Sequence, residues 1–320
     1  MRLGQVNAEY LGEYDQNQCR FRCHNYRLLS IYFLPIYFAL RLALDPSQRL
    51  DAIQLTGIGL ITTIDGTQTN MLIAALIVLA FAALERRRIR LAALAIAGGT
   101  LIKLFPAAAL AFALPLRARW RFGVTFAGML AVLVALPLTV TSPATLIAQY
   151  HSWYAMGSVD ALDRGASVMR LLHDLFGYAG PNWPVQLAGT VLLLLPLVRG
   201  RWSDADHRRS FLASLLVYSV IFNHKAEHPS YIIAVVGIAI WYAVGARTAA
   251  KSVLTGAVFV STVLAFIGVA VPQPLSNTML PLELAAAACT LAWLGMQVEL
   301  LDLVPVPEGT LATPEMQPAE

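Results

Sequence analysis

The sequence predicts an all-α, polytopic membrane protein of about 9–10 membrane helices or half-helices. Three observations carry that expectation. Hydrophobic residues make up 58% of the 320 and charged residues only 13%, where soluble domains carry roughly 25% charge. Mean hydropathy is +0.62. Apolar runs recur along the chain at lengths near the ~20 residues a helix needs to cross a bilayer. Such a composition excludes a soluble enzyme and a nucleic-acid binder. The formal charge of +4 reflects loop arginines, not a surface for nucleic acid.

The candidate spans lie at 27–44, 52–64, 70–84, 91–116, 123–141, 185–199, 210–222, 230–246, 252–271 and 279–300. Before them, residues 1–26 are polar and lack the apolar core of a cleavable signal peptide. After them, 302–320 is rich in proline and glutamate and reads as a disordered cytoplasmic tail. The expected organisation is an atypical N-terminal segment 1–26, one membrane domain 27–301 and that tail. Three cysteines, Cys19, Cys23 and Cys289, are too few for a disulfide framework. The C-x3-C spacing of Cys19 and Cys23 beside His24 lacks the second ligand pair of a zinc site.

Arginines give the direction of crossing. Arg86–Arg90, then Arg117, Arg119 and Arg121, then Arg199, Arg201, Arg208 and Arg209, then Arg247 and Lys251 all belong to the cytoplasmic side by the positive-inside rule. Both ends of 91–116 then lie on one side. At about 1.5 Å per residue that stretch is too short for two full crossings, so it predicts a hairpin of two short helices. Gly98, Gly99 and Pro106 are the residues that permit the turn. Lys103 sits near the tip. There it either snorkels to the far interface or faces an anionic ligand in a far-side cavity. The near side is expected to hold plain arginine-rich turns, and Asp204-Ala205-Asp206 falls in one of them as a solvated loop.

Unusual polar residues gather on the far side, periplasmic in a bacterium. They occupy 65–70, the long loop 142–184, the turn 223–230 and 272–277. In the long loop, Tyr150, His151, Trp153 and Tyr154 combine rings with polar tips, which suits either a headgroup-level belt or stacking on sugars. Asp163, Ser167, Arg170 and Asp174 fall at steps of four, three and four. That spacing puts them on one face of a surface helix, with Val168, Leu171, Leu172 and Leu175 on the other. The turn Asn223–Ser230 packs His224, Lys225, Glu227 and His228 together. It suits a phosphate or diphosphate, or is a polar hairpin tip. Pro229 disfavours the helix that an H-x3-H metal pair would need. Gln68 and Asn70 stand at the start of a span, where helix N–H groups favour anions and where a residue also serves as a simple cap.

The run D-G-T-Q-T-N from Asp65, an apolar helix, R-R-x-R and A-G-G-T-L-I-K-L-F-P ending at Pro106 together resemble the GQxN…K-x-x-P pattern of glycosyltransferase family 87. N-H-K-A-E-H-P-S-Y from Asn223 is similar to that family's segment before its late spans, and the likeness covers roughly residues 55–245. The family's glycine before the glutamine is Thr67 here, with Gly66 one place earlier. The resemblance implies a C-type glycosyltransferase fold with a periplasmic cavity in the bacterial inner membrane. It implies inverting, metal-independent transfer of a sugar, mannose, from a polyprenyl-phosphate donor to a glycan or lipid acceptor. No cofactor is implied.

Residue by residue, the resemblance matches Lys103 to the family's K-x-x-P lysine and Gln68 and Asn70 to its GQxN pair; the expected mechanism sets Arg170, His224 and Lys225 beside Lys103 at the donor phosphate. Gln68, Asn70, Tyr150, His151, Trp153, Tyr154, Glu227 and His228 are the substrate contacts expected on this reading. Relatives resemble one another in carrying an essential aspartate after a first span. That arrangement is missing at 1–26, so the reading expects a truncated or altered N-terminus and falls back on Asp65 and Asp163 as catalytic bases. Two other readings stand beside this one. One is an inactive family member or partner subunit. The other is a transporter, which the absence of an inverted repeat disfavours.

Overall fold

A computed structural model describes residues 33–61, 69–160, 163–199, 201–270 and 280–303. The described residues are almost wholly helical: α1 Phe33–Ala43, α2 Pro46–Ile61, α3 Asn70–Glu85, α4 Ile89–Ile102, α5 Arg119–Ala135, α6 Pro143–Asp160, α7 Val168–Phe176, α8 Asn182–Leu194, α9 Ala205–Ile221, α10 Tyr231–Ala243, α11 Ala249–Ala270 and α12 Leu280–Leu300. Short 3-10 segments extend or join several of them. Each described stretch of a predicted span is a helix or helix pair. Residues 1–26, Asp65, Gln68, 272–277 and the tail beyond residue 303 lie outside the described residues.

Helix α10 is the centre. It is apolar all round, and Tyr231 through Trp241 are all buried, which is the pattern of a helix enclosed by others. Its main neighbours are α9 and α2. Small residues allow the closest approach: a Cβ at Gly237 would lie 2.7 Å from the carbonyl oxygen of Ala213 on α9. Close backbone contact through small residues is how helices associate in lipid, where apolar burial gives little drive. Among the described residues, one helix, Arg119–Thr139 (α5 and its 3-10 extension), is by itself long and apolar enough to cross a bilayer. Of α5's residues only Phe122 is buried, so its apolar surface faces outward.

The 91–116 hairpin is present, and its cause is local. Pro106 has no N–H, and its ring would strike the carbonyl four residues earlier, that of Ile102. Helix α4 ends at Ile102, Lys103 is extended (φ −149°, ψ 144°), and a 3-10 helix Phe105–Ala113 begins with the proline in its first turn. The chain doubles back so tightly that a Cβ on Gly99 would sit 3.1 Å from Pro106 Cβ. Phe112 then meets Phe81, near the C-terminus of α3, and Phe211, near the N-terminus of α9. Lys103, by contrast, reaches Asn70 at the opposite end of α3. The hairpin therefore spans the length of α3 and returns.

Two expectations need correction. The basic end is not made of plain turns. Arg208 grips Glu85 with two bonds of 2.8 and 2.7 Å. Arg209 does the same to Asp45 at 2.7 and 2.8 Å and also reaches Asp206. Paired forks of this kind have fixed geometry and tie α9 to α3 and to the α1–α2 turn. Asp204 caps α9 by accepting from the Asp206 N–H at 2.9 Å, so Asp204 and Asp206 are structural parts of that end. Second, the loop 142–184 contains α6, a helix of 18 residues. Its described side chains are largely exposed, so no apolar face announces it.

Candidate functional site

At the end of the bundle away from the arginines, three pieces of chain converge: the α4 hairpin tip, the 163–167 segment and the 223–230 turn. Lys103 is held at the tip by the break that Pro106 forces. Its Nζ donates to Asn70 Oδ1 at 2.8 Å, and Asn70 is itself buried at the first turn of α3. The Glu227 carboxylate lies within electrostatic reach of the same ammonium.

The turn 223–230 is braced from outside. Gly165 takes a left-handed φ of +42° and lies so close that a Cβ there would be 2.7 Å from the Ala226 carbonyl. Ala166 N–H donates to Ala226 O at 2.8 Å, and Tyr231 Oη donates to Ala166 O at 2.8 Å. Lys225 Nζ bonds Asp163 Oδ2 at 3.1 Å. That bond is the main reason the Asp163 carboxyl is held below the usual carboxylate range. Asn182 Nδ2, at the start of α8, donates to the Asp163 carbonyl at 2.7 Å.

The hairpin tip and the 223–230 turn line a cavity of about 1130 Å³, and the 163–167 segment braces that turn from outside. Lys103, Gln186, Asn223, His224, Lys225 and Glu227 supply its polar end. Leu104, Ala108 and Leu114 of the hairpin and Leu193 and Leu194 of α8 supply an apolar wall. Because α8 and the 3-10 limb both run from that polar end toward the arginine end, the apolar part lies deeper along the bundle. Between the two zones, Thr190 Oγ1 and Tyr218 Oη satisfy each other at 2.6 Å. Trp153 and Met156 of α6 close one side.

The predicted residues divide. Lys103, His224, Lys225, Glu227 and Trp153 line the cavity, and Asn70 stands behind Lys103. Tyr150, His151, Tyr154 and His228 do not line it; Tyr150 Oη instead donates to Val134 O at 2.8 Å. Arg170 is off the cavity, bound to Asp174 at 2.5 Å and facing Glu283 at 3.7 Å. Asp163 is off it too, and not on the surface helix that its spacing suggested. That helix starts at Val168, because the left-handed Gly165 and the bond from Ala166 to Ala226 keep the preceding residues out of the helix. Asp65 and Gln68 lie outside the described residues.

Sequence reasoning missed Gln186. Its Nε2 donates to Phe222 O at 3.0 Å and meets His224 Nδ1 at 3.3 Å. The available signal was a lone amide inside an apolar span, a position that polar side chains occupy only with a partner.

A sequence model described as glycosyltransferase family 87 matches residues 27–222, more than half of the chain. The match begins at the first predicted span and stops just before the 223–230 turn. No curated protein and no solved structure matches the chain.

Proposed function

Since the chain belongs to glycosyltransferase family 87, we propose that it moves a sugar, mannose, from a polyprenyl phosphate to a glycan or lipid acceptor on the periplasmic face of a bacterial inner membrane. The observation that carries this reading is the two-zone cavity: cations at one end and an apolar wall running deeper along the bundle. A lipid-linked sugar has the same two zones in the same order. Its phosphate would meet Lys103 and Lys225, with His224 as a hydrogen-bond donor, and its chain would follow the wall of Leu104, Ala108, Leu114 and Leu193. The arginine end would face the cytoplasm.

In the reaction the acceptor oxygen attacks the anomeric carbon from the face opposite the phosphate, and the bond from that carbon to the phosphate oxygen breaks. Negative charge grows on the departing polyprenyl phosphate. Fixed cations aimed at that charge lower the barrier. Holding donor and acceptor in line within the cavity lowers it further.

The test is incorporation of label from polyprenyl-phosphate mannose into lipid and glycan, in membranes that contain the chain and in matched membranes without it. Incorporation that depends on the chain is the expected result. Equal incorporation in both would overturn the reading.

A further inference from the structure

We infer that Gln186 is a positioning residue: it holds His224 as the neutral tautomer with the proton on Nε2, the form that brings an N–H to the donor's phosphate. This rests on the glycosyltransferase reading above and adds a role for Gln186 in the same cavity, which both residues line.

A backbone atom orients the amide. Phe222 closes α9 at its C-terminal end, where helix carbonyls have no partner within the helix. Gln186 Nε2 donates to the Phe222 carbonyl at 3.0 Å. A carbonyl only accepts, so the group that faces it is the amide NH2 and not the amide oxygen. The second hydrogen of that nitrogen falls to its other neighbour, His224 Nδ1 at 3.3 Å. Nδ1 is therefore the acceptor. An imidazolium, or the tautomer with its proton on Nδ1, would set N–H against N–H. The form that remains is neutral and carries its proton on Nε2.

Packing fixes both partners. Gly189 stands three residues after Gln186 on α8, and a Cβ there would strike the Phe222 ring, so this face of α8 lies flush on the end of α9. Beyond Phe222 the chain turns at once. Asn223 Oδ1 accepts from the Lys225 N–H at 3.0 Å, and the Asn223 carbonyl accepts from the Ala226 N–H at 3.0 Å. One amide nitrogen thus joins α8, the end of α9 and the turn that carries His224. Lys103 and Lys225 bring charge to the polar end. An N–H of fixed tautomer adds direction, because a hydrogen bond weakens steeply as it bends.

The test reads the tautomer itself. Nitrogen NMR of the full chain, isotope-labelled at histidine and held in lipid nanodiscs, separates a bare ring nitrogen from a protonated one, and His224→Asn identifies the signal. The expected result in wild type is a bare Nδ1 and a protonated Nε2, with the Nε2–H signal moving when polyprenyl-phosphate mannose is added. Gln186→Glu offers Nδ1 an acceptor and should put a proton there. Gln186→Met removes the amide at similar volume and should leave the two tautomers mixed, with donor affinity lower by about 2- to 10-fold, the range of one hydrogen bond. This second variant carries the test if the new carboxylate, set against the Phe222 carbonyl, unfolds the first. A wild-type His224 with its proton on Nδ1 overturns the inference. So does a tautomer that neither variant changes, and so does donor binding that leaves the Nε2–H signal unmoved. A wild type that carries the Nε2 proton and binds no donor instead rejects the donor reading and leaves the hold of Gln186 on His224 standing.

Discussion

The Lys103 ammonium lies 2.8 Å from the amide oxygen of Asn70, across 33 residues of sequence. The bond closes α4 back onto the first turn of α3 and aims the cation at the polar end of the cavity. Asn70 serves here as a holder of charge.

Replacing Asn70 with Leu keeps volume and removes that acceptor. A hydrogen bond to a charged group contributes about 1.5–3 kcal/mol, so kcat/KM for the donor should fall at least ~10-fold. Asn70→Asp should raise donor KM for a different reason, because its carboxylate competes with the phosphate for the ammonium. Steady-state kinetics on both variants checks this.

Gly99 fixes where the hairpin turns. A Cβ there already crowds Pro106 at 3.1 Å, and valine adds two further methyl groups. Overpacking of this kind costs about 1–3 kcal/mol. Gly99→Val should lower the unfolding temperature in detergent and displace Lys103, so that transfer falls along with stability. An unchanged Tm would show that the two limbs are not in contact.

Asp163 and Lys225 should make the 223–230 turn acid-labile. The carboxyl is held below its ordinary value in the folded chain, first by the bond to Lys225. A folded pKa below the unfolded one gives stability that is present above about pH 4 and is lost as pH falls through the folded value. Asp163→Asn should therefore lower Tm relative to wild type at pH 7, and the difference should close as pH falls below about 4. Paired thermal melts at the two pH values measure it. A gap that persists in acid would show that the ion pair is not its source.

The hairpin was legible in the sequence because two separate signals agreed: arginines on both flanks of one apolar stretch, and Pro106 inside it. Helix α6 was not. Periodicity reports a helix only when one face is buried, and the described side chains of α6 are largely exposed. Asp163 was misplaced for the opposite reason. Its spacing to Ser167 and Arg170 fits a helix, but Gly165 at φ +42° and the Ala166–Ala226 bond override that local preference. Lys103 and the 223–230 turn stood out as charge in apolar surroundings. Their meeting in one cavity, and the part of Gln186, depend on how α4, α8 and α9 pack, which no local pattern encodes.

The central claim is that the Lys103 ammonium holds the phosphate of a lipid-linked sugar. The most direct measurement is mannose transfer from labelled polyprenyl-phosphate mannose by wild type and Lys103→Ala, with donor binding followed in parallel. Removing a cation aimed at the leaving group should cut transfer about 100-fold or more and weaken donor binding, while Lys103→Arg retains part of both. Equal transfer by wild type and Lys103→Ala would contradict the account and leave Lys103 as a structural partner of Asn70.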